Sequence, residues 1–202
     1  MTTTRALAVA ALLLALEGQA QAKYGDFLEG ITGIAQPVPA LGYDIAKTSL
    51  VFGMRAGRYL RPRRCPSLAV ELDLDYTPLR AEGPTSTGRF DDIVHRLRVM
   101  AGVRQSFRFR PGWHSTFRVA AGVDFAFASV PIHVVGVVTH EDESDVGLVV
   151  EPSVAVMRNL ATYAIGAQLA LPTAIHRDGD GDFPFDYTGA DVALLFTIGS
   201  KL

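Results

Sequence analysis

Cysteine is almost missing from this chain: Cys65 is the single thiol in 202 residues. One cysteine excludes an intramolecular disulfide framework and any zinc site built on several thiolates. Lysine is scarce as well, with only Lys23, Lys47 and Lys201, so the usual lysine-rich solvated exterior is out of reach. No stretch attains the ~18 consecutive apolar residues of a membrane-spanning helix. Surplus charge is lacking too. Nineteen basic against 21 acidic residues leave a formal net charge of −2, which gives no hold on a polyanion and argues against nucleic acid as a partner. Yet 49% of the residues are hydrophobic, too many for a disordered chain. Apolarity without long runs implies an apolar soluble domain or a membrane protein that hides its apolarity in alternation.

The first residues read as an address. Met1 to Arg5 carry one positive charge, residues 6–16 are an unbroken apolar run, and Ala20-Gln21-Ala22 forms an A-x-A cleavage pattern before Lys23. A signal peptide over 1–22 is expected, leaving 23–202 as one mature domain of an exported protein. No cysteine follows the run to carry a lipid anchor. In an oxidising compartment Cys65 reads as an unpaired turn residue rather than a nucleophile.

From Ser49 onward the sequence moves in two-residue steps, as strands with two different faces do. Leu68, Val70, Leu72, Leu74 and Tyr76 alternate with Ala69, Glu71, Asp73 and Asp75. Leu97, Val99, Ala101 and Val103 alternate with Arg96, Arg98, Gly102 and Arg104, and Phe117, Val119 and Val123 with Arg118, Gly122 and Asp124. Segments 50–57, 146–156, 163–171 and 192–198 repeat the pattern, with Arg55 and Glu151 among their polar-face residues. That makes seven strands, most near the ~9–11 residues of a tilted membrane strand. Pro152 cannot donate to a ladder, so a bulge is expected there.

Residues 24–36 are the expected eighth strand, although Tyr24, Phe27, Leu28, Ile31 and Ile34 also fit helical spacing. The rival is 132–139. Choosing 24–36 makes the connections alternate: 37–48, 77–93, 130–144 and 172–189 long, and 61–66, 110–114 and 158–160 short. Transmembrane barrels show this asymmetry, with tight periplasmic turns and longer outer loops. Both termini then fall on the periplasmic side.

Alternation cannot say which face looks outward, but composition can. The non-apolar faces of the last three strands are mostly Ala, Gly, Ser, Thr and Gln, which suit a narrow filled lumen better than a wet surface. Aromatic residues gather near strand ends: Tyr59, Phe107, Phe109, Trp113 and Tyr163 at one, Tyr76, Phe125 and Phe127 at the other. Interfacial girdles have this form.

The signal peptide, eight candidate strands, alternating connections and final amphipathic strand together resemble the small outer-membrane β-barrels of the OmpA and OmpX type. The resemblance implies an all-β, eight-stranded antiparallel up-and-down transmembrane barrel in a Gram-negative outer membrane. It also implies lipid and lipopolysaccharide as surroundings and the barrel-assembly machinery as a partner during insertion. That family's last strand usually ends in an aromatic residue. Here the chain ends at Leu202, and Ser200 interrupts the parity of Val192, Leu194, Phe196 and Ile198. No peptidoglycan-binding domain is expected after the barrel.

Five histidines invite an enzyme reading, since some outer-membrane barrels resemble lipid-modifying hydrolases. His114-Ser115 falls in a predicted tight turn, and adjacent strand residues point to opposite faces, which misplaces a dyad. His95, His133, His140 and His176 lie in or beside the long loops without a suitably spaced serine and read as solvated. Asp178, Asp180 and Asp182 have the D-x-D-x-D spacing of a Ca²⁺ loop, but no glycine follows Asp182, and Gly189 stands where the bidentate Glu belongs. The mismatch favours a flexible acidic turn over a cation site. Glu141, Asp142, Glu143 and Asp145 add to an acidic outer rim, whereas the inner turns carry Arg61, Arg63, Arg64, Arg110 and Arg158.

Counting up from the inner turns places Arg55, Glu71 or Asp73, Arg104 and Glu151 about five to seven residues high, and Asp75, Arg98 and Asp124 about nine to twelve. Together with Arg118 these form an expected lumen charge network. An eight-stranded lumen is about wide enough for side chains alone, so the expectation is a non-catalytic barrel, without cofactor, plugged by its own charges, in a structural or surface-interaction role. The alternatives are a narrow pore, a soluble exported lipocalin-like ligand-binding barrel, and a lipid-modifying enzyme.

Overall fold

The computed structural model describes residues 26–38, 47–60, 66–85, 88–134, 137–160, 163–176 and 189–200. The expected signal peptide, Cys65 and the aspartates of 178–182 lie outside them. Nine β-strands follow in order: β1 (Asp26–Pro37), β2 (Ser49–Tyr59), β3 (Ser67–Thr85), β4 (Gly88–Arg110), β5 (Trp113–Val134), β6 (Val137–Asn159), β7 (Tyr163–Ala170), β8 (Thr173–His176) and β9 (Gly189–Ser200). All pair antiparallel with their neighbours, and β9 returns to pair with β1, closing the sheet. β7 and β8 are two halves of one barrel strand, since both pair with β6 on one side and β9 on the other. The wall therefore has eight strands, and 24–36 supplies the first of them as β1.

Tracing partners from Leu28 through Ala56, Leu72, Ala101, Ala121, Val150 and Thr173 reaches Ala190. Its carbonyl accepts from the Val38 N–H at 2.9 Å, ten residues beyond the start. Such a stagger tilts the strands, typically by about 35–45°. The β4–β5 connection is only Pro111-Gly112, with Gly112 at φ 75°, the pair that a type II turn requires. The Asn159 N–H donates to the Gly112 carbonyl at 2.7 Å, tying this turn to the end of β6.

Three expectations need correction. Residues 77–93 and 130–144 are not long loops. β3 and β4 pair continuously out to Thr85↔Gly88, and β5 and β6 out to Val134↔Val137. Of the rival strand 132–139, residues 132–134 and 137–139 belong to the end of that second hairpin. These extensions rise beyond the closed barrel, because β2 reaches only Tyr76 on β3 and β8 only Gly147 on β6.

Pro152 causes no bulge; β5 and β6 keep one register past it, and the wall's register shift falls instead at Arg108/Arg110. The physical reason lies across the ladder. A residue's N and O face the same antiparallel neighbour, and the Pro152 carbonyl accepts from Leu171 N at 3.0 Å. Its missing donor therefore faces the Leu171–Pro172 break between β7 and β8. Finally, the strand expected to end at Leu171 resumes as β8 through His176.

Candidate functional site

Strand parity decides what the barrel contains. Odd residues of β1, β2, β3, β6 and β9 and even residues of β4, β5, β7 and β8 turn inward, and the apolar residues between them face out. Leu72 is 66% and Leu148 68% exposed, against 1% for Arg55 and 0% for Asp124. The polarity is inverted relative to a water-soluble barrel. All nine residues of the expected lumen network, Arg55, Glu71, Asp73, Asp75, Arg98, Arg104, Arg118, Asp124 and Glu151, lie inside and are buried.

They divide into two layers. Nearer the short turns, Arg55 donates to Asp73 from Nε at 3.0 Å and Nη2 at 2.9 Å, and from Nη1 to Gln168 Oε1 at 3.1 Å. Its Nε is 3.3 Å from Glu71, and its Nη1 reaches Glu29 at 3.5 Å. Arg104 clamps Glu29 with both terminal nitrogens, at 2.6 and 2.7 Å, and places Nε 2.8 Å from Glu71. Arg118 is shared among Glu71, Asp73 and Glu151. The Arg104 guanidinium also lies 4.5 Å over the Phe27 ring.

In the outer layer, Arg98 donates from Nη2 to Asp191 at 2.8 Å and has Nε 3.8 Å from Asp124. Arg96 donates to Asp124 and reaches Asp191 at 3.5 Å. Between the layers sit the apolar contacts of Met100, Ala120 and Val149. Among the described residues Asp75 is not drawn into an ion pair. It is the register partner of Arg98, yet its buried Oδ1 has no hydrogen-bond partner.

The sequence reading missed Glu29, Arg96, Gln168, Asp191 and His176. His176 corrects an expectation: it is no solvated loop histidine but a buried β8 residue. Its Nδ1 is 2.8 Å from Asp145 Oδ2 and its Nε2 3.4 Å from Asp124 Oδ2. Gly147 backs onto its ring, since a Cβ there would stand 2.7 Å from His176 Cδ2. His114 belongs to β5 rather than to a turn, one residue from Ser115 and therefore on the opposite face. His95 sits in β4 on the outer wall, its ring stacked on Tyr76 with Nδ1 2.6 Å from the Tyr76 hydroxyl. His133 and His140 belong to the β5–β6 hairpin.

These contacts form a brace. Arg104 to Glu29 joins β4 to β1, Arg98 to Asp191 joins β4 to β9, Arg55 to Gln168 joins β2 to β7, and Arg118 joins β5 to β3. None of these strand pairs are neighbours in the wall, so the bonds cross the lumen. Buried charges in low dielectric persist when paired, and removing one partner costs far more than the pair contributes. Among the described residues no group of histidine, cysteine or acidic side chains is arranged to hold a metal ion.

No family model matches the sequence, and no curated protein matches it. Solved structures do. Neisserial surface protein A superposes with a TM-score of 0.56 at 10% identity, over 88% of this chain and 97% of the other. The attachment invasion locus protein Ail of Yersinia pestis gives a TM-score of 0.46 at 14% identity over 88% and 98%. The N-terminal β-barrel domain of Pseudomonas aeruginosa OprF gives 0.42 at 12% over 89% and 98%. With a closed eight-stranded antiparallel wall, apolar outside and charged within, the chain has the fold of the small eight-stranded outer-membrane β-barrels.

Proposed function

We propose that this protein is an outer-membrane barrel whose interior is closed by its own ion pairs, and that it serves as a non-catalytic scaffold presenting its long hairpins at the cell surface. The observation that carries this reading is the set of arginine–carboxylate bonds running across the lumen between non-neighbouring strands. A pore lined by wet charge tolerates one sign around its wall. Here each buried arginine is matched to at least one carboxylate. The outer wall supports the membrane setting, since so large a continuous apolar surface is foreign to soluble monomers, whose patches reach only a few hundred Å². Apolar-out alternation in strands of this kind is what hydrocarbon requires.

In this setting the outer wall meets lipid and, on the cell surface, lipopolysaccharide, and β9 is the strand presented to the assembly machinery. A divalent cation at Asp178, Asp180 and Asp182 belongs to the same proposal, as a bridge between an acidic rim and anionic lipopolysaccharide. Calorimetry on refolded protein with Ca²⁺ and with Asp180→Ala tests it, and heats of dilution alone remove it. The experiment for the main reading is fractionation with heat-modifiability. The protein should sediment with outer membranes and migrate faster on SDS gels unboiled than boiled. Recovery in the soluble periplasmic fraction refutes the membrane assignment.

A further inference from the structure

The chain's charge is polarised end to end. The long-hairpin end carries Glu141, Asp142, Glu143 and Asp145 of β6, whereas the short-turn end carries Arg58, Arg108, Arg110 and Arg158. At that end one row stands out: Arg110 of β4, Trp113 of β5 and Arg158 of β6 are successive register partners. Directly opposed residues share a face and lie about 5 Å apart. The register shift at Arg108/Arg110 takes Arg110 off the inward parity of β4 and onto the face of Trp113. An arginine therefore stands on each side of one indole on the outer wall, their backbones about 10 Å apart at the strand spacing. The Arg158 guanidinium lies 5.5 Å over the Trp113 ring, a stacking that orients it. The Asn159–Gly112 bond fixes the turn behind the row. Above it stand Phe109 and the edge-to-face pair of Phe107 and Phe117, with centroids 5.8 Å apart.

Both arginines are exposed, and neither meets a carboxylate among the described residues. Asp26, at the same end of the barrel, is already held by Arg58 at 2.5 and 2.9 Å. Two cations at an apolar–polar boundary, spaced about a tryptophan and without a carboxylate partner among the described residues, are complementary to a phosphodiester at the same depth. We propose that the Arg110–Trp113–Arg158 row is a docking site for the headgroup of an anionic glycerophospholipid in the leaflet at the short-turn end. The inference rests on the membrane reading given above. The anionic phosphodiester lies against the two guanidinium groups, which disfavour the cation of a zwitterionic headgroup. Trp113 occupies the glycerol level as interfacial tryptophans do, and the acyl chains run along Phe109 and Phe117.

Trp113 is the only tryptophan of the chain, so its fluorescence reports this site alone. The protein is refolded into phosphatidylcholine vesicles containing a fixed minority of phosphatidylglycerol, with bromine placed on the acyl chains of either lipid in turn. At equal brominated fraction and low salt, brominated phosphatidylglycerol should quench Trp113 in preference to brominated phosphatidylcholine, with a relative affinity on the order of tenfold. The Arg110→Gln/Arg158→Gln variant should lose the preference while keeping its heat-modifiable mobility. Equal quenching by the two lipids, or a preference surviving in the double variant, overturns the site. Abolition of the preference by inorganic phosphate at constant ionic strength also overturns it, because a free anion is then the ligand. Quenching by neither lipid means that Trp113 is outside the bilayer, and the membrane reading fails with the site.

Discussion

Arg118→Met tests the interior brace at its most connected point. Arg118 is shared by three carboxylates on two strands, and its loss affects them unequally. Asp73 keeps Arg55 at 2.9 Å, and Glu71 keeps Arg104 at 2.8 Å and Arg55 at 3.3 Å. Glu151, 1% exposed, is bonded to Arg118, and the substitution leaves it charged in an enclosed space. One orphaned buried carboxylate costs about 3–5 kcal/mol. With a urea slope near 2 kcal/mol per molar, the unfolding midpoint should fall by roughly 1.5–2.5 M. Arg58→Ala is the control, because the Arg58 side chain is 66% exposed and an exposed pair contributes less than about 1 kcal/mol. The readout is Trp113 fluorescence in vesicles, checked against the heat-modifiable fraction on gels. Adding Glu151→Gln to Arg118→Met should recover part of the loss, since neutralising the orphan removes most of its desolvation penalty. Equal midpoints for Arg118→Met and Arg58→Ala, or no recovery in the double variant, refute the brace.

Three further substitutions probe the two faces of the wall. Gly102 faces the lumen, and an added Cβ would lie 2.9 Å from both Ala120 Cβ and the Val119 carbonyl. Gly102→Val should therefore destabilise the barrel by about 1–3 kcal/mol, measured by urea titration, whereas Gly30→Ala, whose Cβ meets nothing closer than 3.8 Å, should be tolerated. Leu72→Arg places a charge on the outer wall and should cost about 2–4 kcal/mol when refolded in a bilayer; an unchanged midpoint there argues that Leu72 does not face hydrocarbon.

Local alternation made the barrel legible. Where one face meets apolar surroundings and the other a packed lumen, as over Leu68 to Tyr76, parity is visible from residue types alone. Above the closed barrel the pattern fades, and Pro78 and Pro84 made the upper parts of β3 read as loop although they pair with β4. The β8 segment was hidden for another reason. Leu171-Pro172 interrupts the strand locally, and only the shared register with β6 and β9 reveals that it continues.

The lumen charges were recognisable one strand at a time, but their partners were not. The Arg98–Asp191 bond joins residues 93 positions apart on opposite sides of the barrel, and no spacing in the sequence encodes that distance. Asp75 illustrates the same limit, since it is adjacent to Arg98 in register while the guanidinium turns to Asp191 and Asp124. Glu29 escaped notice because Gly25, Gly30 and Gly33 blur the parity of the first strand. His176 escaped because its strand did.

Single-channel recording of purified, refolded protein in planar bilayers tests the closed lumen most directly. With arginine–carboxylate bonds crossing the interior in two layers, the protein should insert without steady porin-sized openings, and the trace should stay at baseline across applied voltages. Steady large-conductance openings from pure protein would contradict the account.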